Sequence, residues 1–156
     1  MAEYKTYELL FAKINKDLAK SLQRVSIFAQ NKWKSLIYEK FYEAYPNPKM
    51  YERTFEVLNS ISVFNVVKVG DTYEVIVKYD EDKINYYPET DTLWQKHGTP
   101  SIMGELIEDG WNHVYKGVTT KHEGTHALQD MLSYVSSNEF KEKFKDEMRK
   151  YGYVVI

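Results

Sequence analysis

No proline precedes Pro46 in this chain and no glycine precedes Gly70, so its N-terminal part can form a long uninterrupted helix. Between residues 5 and 44, apolar side chains recur at steps of three and four, which places them on one helical face. The residues of this apolar face are Leu10, Ile14, Leu18, Leu22, Val25, Ala29, Trp33, Leu36, Ile37 and Phe41. The pattern predicts one amphipathic helix over residues 5–44, whose apolar face must be covered by a sheet or a neighbouring subunit.

A break at Tyr45-Pro46-Asn47-Pro48 follows the helix, and after it the sequence predicts a short helix over residues 50–59. Two runs with alternating apolar residues come next, at 61–69 and 72–79, separated by Gly70-Asp71. Two such runs around a turn of this type predict a β-hairpin. One face of the first run is predicted to carry Ile61, Val63, Asn65, Val67 and Val69.

For residues 80–156 the sequence predicts a long loop and several further elements. Residues 80–99 are acidic, aromatic and irregular, and a loop of this length indicates a functional segment. A helix is predicted over residues 100–109, with Gly110 as its left-handed stop. Residues 111–118 are ambiguous and can form a further strand, and a helix is predicted from about Thr120 to Tyr134. Ser136-Ser137-Asn138 supplies a break and an N-cap for a last helix over 139–150. Residues 153–156 are apolar enough to add a strand or to reach a neighbour.

The length of 156 residues fits a single domain over residues 1–156. The chain has no cysteine, which excludes a disulfide framework and a cysteine-based metal site. Its N-terminus lacks the apolar core of a signal peptide, and no apolar run reaches the length of a membrane span. We therefore expect a soluble protein that works without secretion and without a membrane partner.

The charges are distributed unevenly, although the formal net charge is only −2. Residues 5–40 carry eight basic and three acidic residues, whereas residues 71–110 carry ten acidic and three basic residues. Opposite charges arranged in this way can steer one copy onto the next in a ring, or onto a charged partner. They can equally be two solvated faces that never meet, and the sequence leaves both interpretations open.

His122-Glu123-Gly124-Thr125-His126 fits the HExxH pattern of zinc peptidases. On a helix, residues four apart share a face, so His122 and His126 could bind one zinc ion. Glu123 would then act as general base on the zinc-bound water. The pattern fixes only three positions, and it therefore indicates a metal site weakly.

Three observations count against this zinc site. Gly124 would lie inside the helix, at a cost of about 1 kcal/mol relative to alanine. The Gly- and Thr-rich residues 117–121 would place both histidines in the first turns of the helix. Gln129 and Leu132 stand where a metzincin has its glycine and its third histidine. The other candidate third ligands, among which spacing does not choose, are Asp130, Glu139, His97 and His113. We favour the interpretation that the two histidines lie at a helix start and bind no metal.

Tyr51-Glu52-Arg53-Thr54, followed by Leu58, Ser60, Ile61 and the hairpin, resembles the neck proteins of tailed bacteriophages. In these head–tail connector or tail-completion proteins, a Tyr-x-Arg-Thr turn follows a long N-terminal helix and a proline-containing break. Shorter likenesses are found at residues 77–80 and 106–111, and the closing Phe- and Lys-rich helix is compatible with the family. The resemblance extends loosely over residues 5 to 153.

The resemblance implies an α+β fold, an antiparallel sheet with a long N-terminal helix packed across it and C-terminal helices. It implies a virion structural protein, assembled in the host cytoplasm as a homo-oligomeric ring adaptor at the phage head–tail junction. Connector, portal or tail-tube components would be its partners, and neither catalysis nor a cofactor is expected. Tyr51, Arg53 and Thr54 would form a structural motif or a subunit contact.

Two alternatives to this role remain at this point. HExxH does not mark the neck proteins, so a small zinc-dependent metallopeptidase using His122, Glu123 and His126 stays the alternative function, with zinc as cofactor. The guanidinium group of Arg53 has five N–H donors in a rigid planar arrangement. It could hold a loop in place within the chain, contact another subunit or simply be a surface charge. DNA binding through the basic stretch 5–40 is disfavoured, because its bases are interleaved with the apolar face. No groove-reading motif is present, and we expect no sequence-specific nucleic acid partner.

Overall fold

The computed structural model describes residues 7–44, 55–84, 100–115 and 117–156, and the predicted α+β class is confirmed. The helical elements of this part are α1 (Tyr7–Ile37), a π-helical continuation (Tyr38–Glu43), α2 (Glu56–Ser60), a 3-10 turn (Glu81–Lys83), α3 (Pro100–Asp109), α4 (Ala127–Val135) and α5 (Asn138–Arg149). The strands are β1 (Ile61–Val63), β2 (Val67–Val69), β3 (Thr72–Glu74), β4 (Val77–Tyr79), β5 (Gly110–Tyr115) and β6 (Val118–Glu123). They form three antiparallel pairs, β1 with β4, β2 with β3 and β5 with β6.

The long N-terminal helix is confirmed, because α1 and its π-helical continuation run from Tyr7 to Glu43. From Val25 onward its apolar face is buried against α4, α5 and β1. The same face continues toward the N-terminus beyond the packed part, where Tyr7 is 82% exposed and Phe11 is 60% exposed. The first turns of α1 therefore carry apolar side chains that the rest of the described chain does not cover.

The core lies where α1 meets α4, the first hairpin and the C-terminal end of α3. Its buried members are Ala29, Trp33, Leu36, Ile37, Tyr42, Val57, Ile61, Ile84, Ile107, Ala127 and Met131. Burying one large apolar side chain contributes about 1.5–3 kcal/mol, so this cluster supplies most of the driving force for the fold. None of the described helices combines the length and the apolarity that crossing a membrane requires.

The predicted hairpin around Gly70-Asp71 is confirmed, and it contains a β-bulge. β1 pairs with β4 so that Ile61 lies opposite Tyr79, and β2 pairs with β3 so that Val67 lies opposite Glu74. Residues 64–66 separate β1 from β2, whereas only residues 75 and 76 separate β3 from β4. One strand therefore contains one residue more than its partner, which shifts the register by one position.

The register shift changes which side chains face the core. Ile61 is fully buried, but Val67 is 48% exposed and Val69 is 50% exposed. The prediction that these valines share the face of Ile61 is wrong, because the bulge turns them outward.

The region after residue 99 agrees with the sequence prediction up to Gly110 and differs after it. Helix α3 spans the predicted residues, and Gly110 follows it with a φ of +85°. The ambiguous segment forms strand β5. The prediction of a helix from about Thr120 is wrong for residues 120–126, because β6 extends to Glu123 and α4 begins only at Ala127. The β-branched residues at 118–120 favour a strand, and pairing with β5 satisfies its backbone.

The last helix is confirmed as α5, which begins at Asn138 and ends at Arg149. The hydroxyl of Ser137 caps it by accepting a hydrogen bond from the backbone N–H of Phe140 at 3.3 Å. Residues 153–156 add no strand to the described sheets, and the side chain of Val154 is 93% exposed. Whether this segment reaches a neighbour stays a prediction.

Two carboxylates with little exposure connect the C-terminal part of the chain to α1. Asp17 accepts hydrogen bonds from Lys13 at 2.7 Å and from the hydroxyl of Tyr153 at 3.0 Å. Glu147 in α5 pairs with Arg24 of α1 at 3.4 Å, and also with Lys150. These contacts join α5 and the residues after it to α1 between Lys13 and Arg24.

The positive partners of these carboxylates lower their pKa values. The hydrogen bond from Lys13, above all, holds the pKa of Asp17 below its ordinary value of 3.8. The hydrogen bond from Lys150 similarly lowers the pKa of Glu147 from its ordinary value of 4.5. A carboxyl group whose folded-state pKa is lowered stabilises the fold fully above its unfolded-state pKa, and this contribution disappears as the pH falls through the folded-state value.

We therefore expect acid to weaken the attachment of the C-terminal part, beginning below about pH 4. Asp17→Asn should lower the free energy of unfolding at pH 7 by about 1.5 kcal/mol, because it removes a charged acceptor of two hydrogen bonds. It should also make the stability less sensitive to acid. Urea unfolding at pH 7 and pH 3 measures both effects, and Asp82→Asn, at an exposed position, serves as control. An unchanged pH dependence in Asp17→Asn would contradict the assignment.

Candidate functional site

The motif residues Tyr51, Arg53 and Thr54 lie outside the described residues, and their roles stay predictions. The residue that follows them, Phe55, has a φ of 56°, which is unusual for a residue other than glycine. Its ring stacks on that of Tyr42 at a centroid distance of 4.6 Å. The strained backbone is therefore accompanied by an aromatic contact with the π-helical segment.

The π-helical segment itself contributes a row of aromatic rings next to Phe55. Tyr38 lies 6.3 Å from Tyr42 and 6.4 Å from Phe55, all three rings being close to parallel. Tyr38 and Phe55 remain 45% and 37% exposed. Short π-helical segments and strained residues concentrate at functional sites, so this aromatic group is a candidate contact surface.

The HExxH residues are not on one helix. His122 and Glu123 are the last two residues of β6, and His126 precedes α4 with a φ of 50° in the left-handed region. Glu123 forms an exposed ion pair with Lys121 at 2.8 Å. The shared helical face on which the zinc hypothesis depends is therefore not formed.

The candidate third ligands do not assemble a metal site among the described residues, which contain no group of three or more suitable side chains. Asp130 pairs with Lys40 at 2.5 Å, and Glu139 pairs with Lys143 at 3.4 Å. The side chains of His97 and His113 lie outside the described part. Zinc binding by His122 and His126 stays an untested prediction.

Gly124 is explained by a close backbone approach. A Cβ atom at this position would overlap the carbonyl oxygen of Glu108 and the main chain of Asp109. Backbone atoms at the end of α3 cannot move aside as a flexible side chain could. Glycine is therefore needed here because two chain segments touch, which the sequence alone does not show.

We expect Gly124→Ala to lower the free energy of unfolding by about 3 kcal/mol because of this overlap. If residues 122–126 were helical, the same change would instead stabilise the protein by about 1 kcal/mol. The sign of the effect in urea unfolding thus separates the two arrangements. Gly117→Ala is the matched control, because Gly117 has open space around it and only its φ of +80° opposes the change. That variant should cost about 1 kcal/mol.

Glu108 of α3 has the most connected side chain of the described core. One carboxylate oxygen accepts hydrogen bonds from the indole N–H of Trp33 at 3.0 Å and from the hydroxyl of Tyr79 at 3.4 Å. The other oxygen accepts the backbone N–H of Leu128 at 2.8 Å. Glu108 is only 9% exposed, so these three donors from α1, β4 and α4 satisfy a nearly buried group.

This carboxylate acts as the cap of α4. His126 occupies the N-cap position but makes no side-chain cap, and Glu108 binds an N–H of the first turn instead. Two backbone hydrogen bonds hold the same junction, from Thr125 to the carbonyl of Ile107 at 2.9 Å and from His126 to the carbonyl of Glu108 at 3.2 Å. The segment before α4 is thereby fixed to the end of α3.

Tyr79 in β4 is the hydrogen-bond donor that the hairpin contributes to Glu108. Its ring lies 4.8 Å from that of Trp33, and a Cβ atom on Gly104 would overlap it. Glycine has a low helix propensity, but at position 104 it lets α3 approach this ring closely. Burial, and next the charge of Glu108, raise the pKa of Tyr79 far above its ordinary value of 10.0, so the hydroxyl remains a donor.

Sequence reasoning did not identify Glu108. The available indication was its position beside Asp109 in the last turn of a helix, where the helix dipole disfavours negative charge. Such a local conflict suggests a partner elsewhere in the fold, but the sequence does not reveal which partner.

Glu108→Gln should lower the free energy of unfolding by about 2–3 kcal/mol, because the amide nitrogen must then face a donor. Tyr79→Phe, which removes only the longest of the three hydrogen bonds, should cost less than about 1 kcal/mol. Chemical unfolding of both variants tests this ranking. Equal losses would contradict the central role of the carboxylate.

A model of the YomN family matches residues 6–150 of the chain. No match was found among curated proteins, and none among solved structures. The phage association implied by the sequence resemblance is thereby confirmed, whereas the assignment to the neck stays a prediction. Because the match extends over nearly the whole chain, this protein belongs to the YomN family, a phage-derived family of Bacillus.

Proposed function

We propose that this YomN-family protein is a structural component of the phage particle, an oligomeric ring adaptor at the head–tail junction in neck or tail completion. Its partners would be further copies of itself and connector, portal or tail-tube proteins. The proposal is supported by the phage-derived family and by the combination of a long helix with small antiparallel sheets. It assigns no catalytic role to the chain.

The observation that carries this proposal is a set of charges with no ion-pair partner among the described residues. The exposed basic members on α1 are Lys16, Lys20 and Lys32. The exposed acidic members, on the 3-10 turn and α3, are Glu81, Asp82, Glu105 and Asp109. Charges of opposite sign on different elements suit a head-to-tail contact, in which exposed lysines of one copy meet exposed carboxylates of the next. Such heterologous contacts form a ring when the rotation from one copy to the next closes.

The uncovered first turns of α1 supply an apolar component for assembly. Tyr7 and Phe11 continue the core-facing side of the helix into solvent, where large apolar side chains commonly mark a protein contact. A neighbouring protein that covers them would add burial energy to a contact steered by charge.

We expect the protein to co-purify with complete phage particles and to be detected there by mass spectrometry. Reversal of the α1 charges in Lys16→Glu/Lys20→Glu/Lys32→Glu should reduce its incorporation at least about tenfold, because like charges then oppose the docking step. Lys141→Glu, an exposed position on α5, is the matched control and should leave incorporation unchanged. Absence of the wild-type protein from the particles would contradict the proposal.

Zinc-dependent peptidase activity remains the alternative, and elemental analysis tests it directly. Protein purified without chelators should contain no stoichiometric zinc if the structural role is correct. Bound zinc, together with a peptidase activity that Glu123→Gln abolishes, would favour the enzyme instead.

A further inference from the structure

The outward side of the first hairpin forms a continuous exposed surface. We call it the outer hairpin face and define it by Val67, Val69, Thr72, Glu74, Ile76 and Lys78. Side chains alternate along the strand that runs from residue 72 to residue 79: the even positions are exposed, and the odd positions are partly buried. Val67 and Val69 join the even positions because they lie opposite Glu74 and Thr72.

The outer hairpin face is unusually apolar for a surface that no other described residue covers. Val67, Val69 and Ile76 are 48%, 50% and 53% exposed. The bulge at residues 64–66 produces this arrangement, since an unshifted register would direct both valines to the side of Ile61. Bulges re-aim side chains at specific places in a sheet, so the outward valines are a feature of the fold.

The charges on this face have a symmetric order around its centre. Glu74 lies two residues before Ile76, and Lys78 lies two residues after it, each about 6.6 Å away along the strand. Neither forms an ion pair with another described residue, although Lys78 lies over the ring of Phe64 at 5.0 Å. An apolar residue between one negative and one positive charge gives a surface that is complementary to itself.

We propose that the outer hairpin face binds the same face of a second copy, about a two-fold axis that passes beside Ile76. In this arrangement the two strands run antiparallel, and Glu74 of each copy faces Lys78 of the other. The two Ile76 side chains meet at the centre, and Val67 and Val69 cover the flanks. Two ion pairs thus form around an apolar centre, as an isologous contact requires.

Charge order selects a second copy as the occupant. With the strands parallel, Glu74 would face Glu74 and Lys78 would face Lys78, which opposes association; the antiparallel two-fold contact brings opposite charges together twice. A hairpin face is smaller than the roughly 800 Å² per partner of a standard interface, so the dimer is a weak one. An isologous contact does not propagate into a ring, and this inference therefore does not depend on the proposed function.

Charge reversal tests the pairing in the purified full-length protein by sedimentation equilibrium over a wide concentration range. Glu74→Lys alone or Lys78→Glu alone should weaken dimerisation at least about tenfold, because each creates two like-charge contacts. The double variant Glu74→Lys/Lys78→Glu restores two opposite-charge contacts and should dimerise like the wild type. An equimolar mixture of the two single variants should form heterodimers for the same reason.

Lys141→Glu is the matched control, since it reverses an exposed charge on α5, outside the outer hairpin face, and it should not change dimerisation. Ile76→Lys should abolish the dimer, while an unchanged far-ultraviolet circular dichroism spectrum shows that the variant is folded. A wild-type protein that stays monomeric up to its solubility limit would overturn the inference, as would a double variant as weak as the single variants. Detection of the protein in phage particles bears only on the proposed function, so the two ideas fail separately.

Discussion

The buried carboxylate of Glu108 is the interaction on which the arrangement of the other elements depends. It accepts hydrogen bonds from Trp33 in α1, Tyr79 in β4 and the backbone of Leu128 in α4. These donors are far apart in the sequence, so their convergence fixes the hairpin, α3 and α4 against the long helix at once. Removing the acceptor would leave several donors unpaired inside the protein, which costs more than any single hydrogen bond contributes.

The bulge divides the hairpin into two parts. The part with β1 and β4 is held by the contacts around Glu108, and the part with β2 and β3 projects away from them. On the inner side, Tyr79 packs on Trp33, and the amide of Gln30 donates to the carbonyl of Ile61 at 2.6 Å. Beyond residues 64–66 all three residues of β2 are exposed. The described chain thus combines a firmly packed region with two apolar surfaces that its own residues leave exposed, the first turns of α1 and the outer hairpin face. We assign these surfaces to different contacts, the former to assembly with neighbours and the latter to pairing of two copies.

Local patterns in the sequence predicted the elements whose signals are local. The apolar periodicity without proline predicted α1. Gly110 predicted the end of α3, and Ser137 predicted the start of α5. The outward valines, the role of Gly124 and the hydrogen bonds of Glu108 could not be predicted, because each depends on residues brought together only by folding. HExxH misled for the same reason: five residues suggested a helix, while pairing of β6 with β5 and contact with the end of α3 determined their conformation.

A single-cysteine variant tests most directly whether this fold presents its hairpin to a second copy. The natural chain has no cysteine, so Ile76→Cys introduces one thiol at the proposed two-fold axis. Mild oxidation should convert this variant largely into a disulfide-linked dimer, because the two sulfurs meet at the axis. Thr72→Cys, exposed on the same face but four residues from the axis, should cross-link far less. Equal cross-linking of the two variants, or none in Ile76→Cys, would contradict the account.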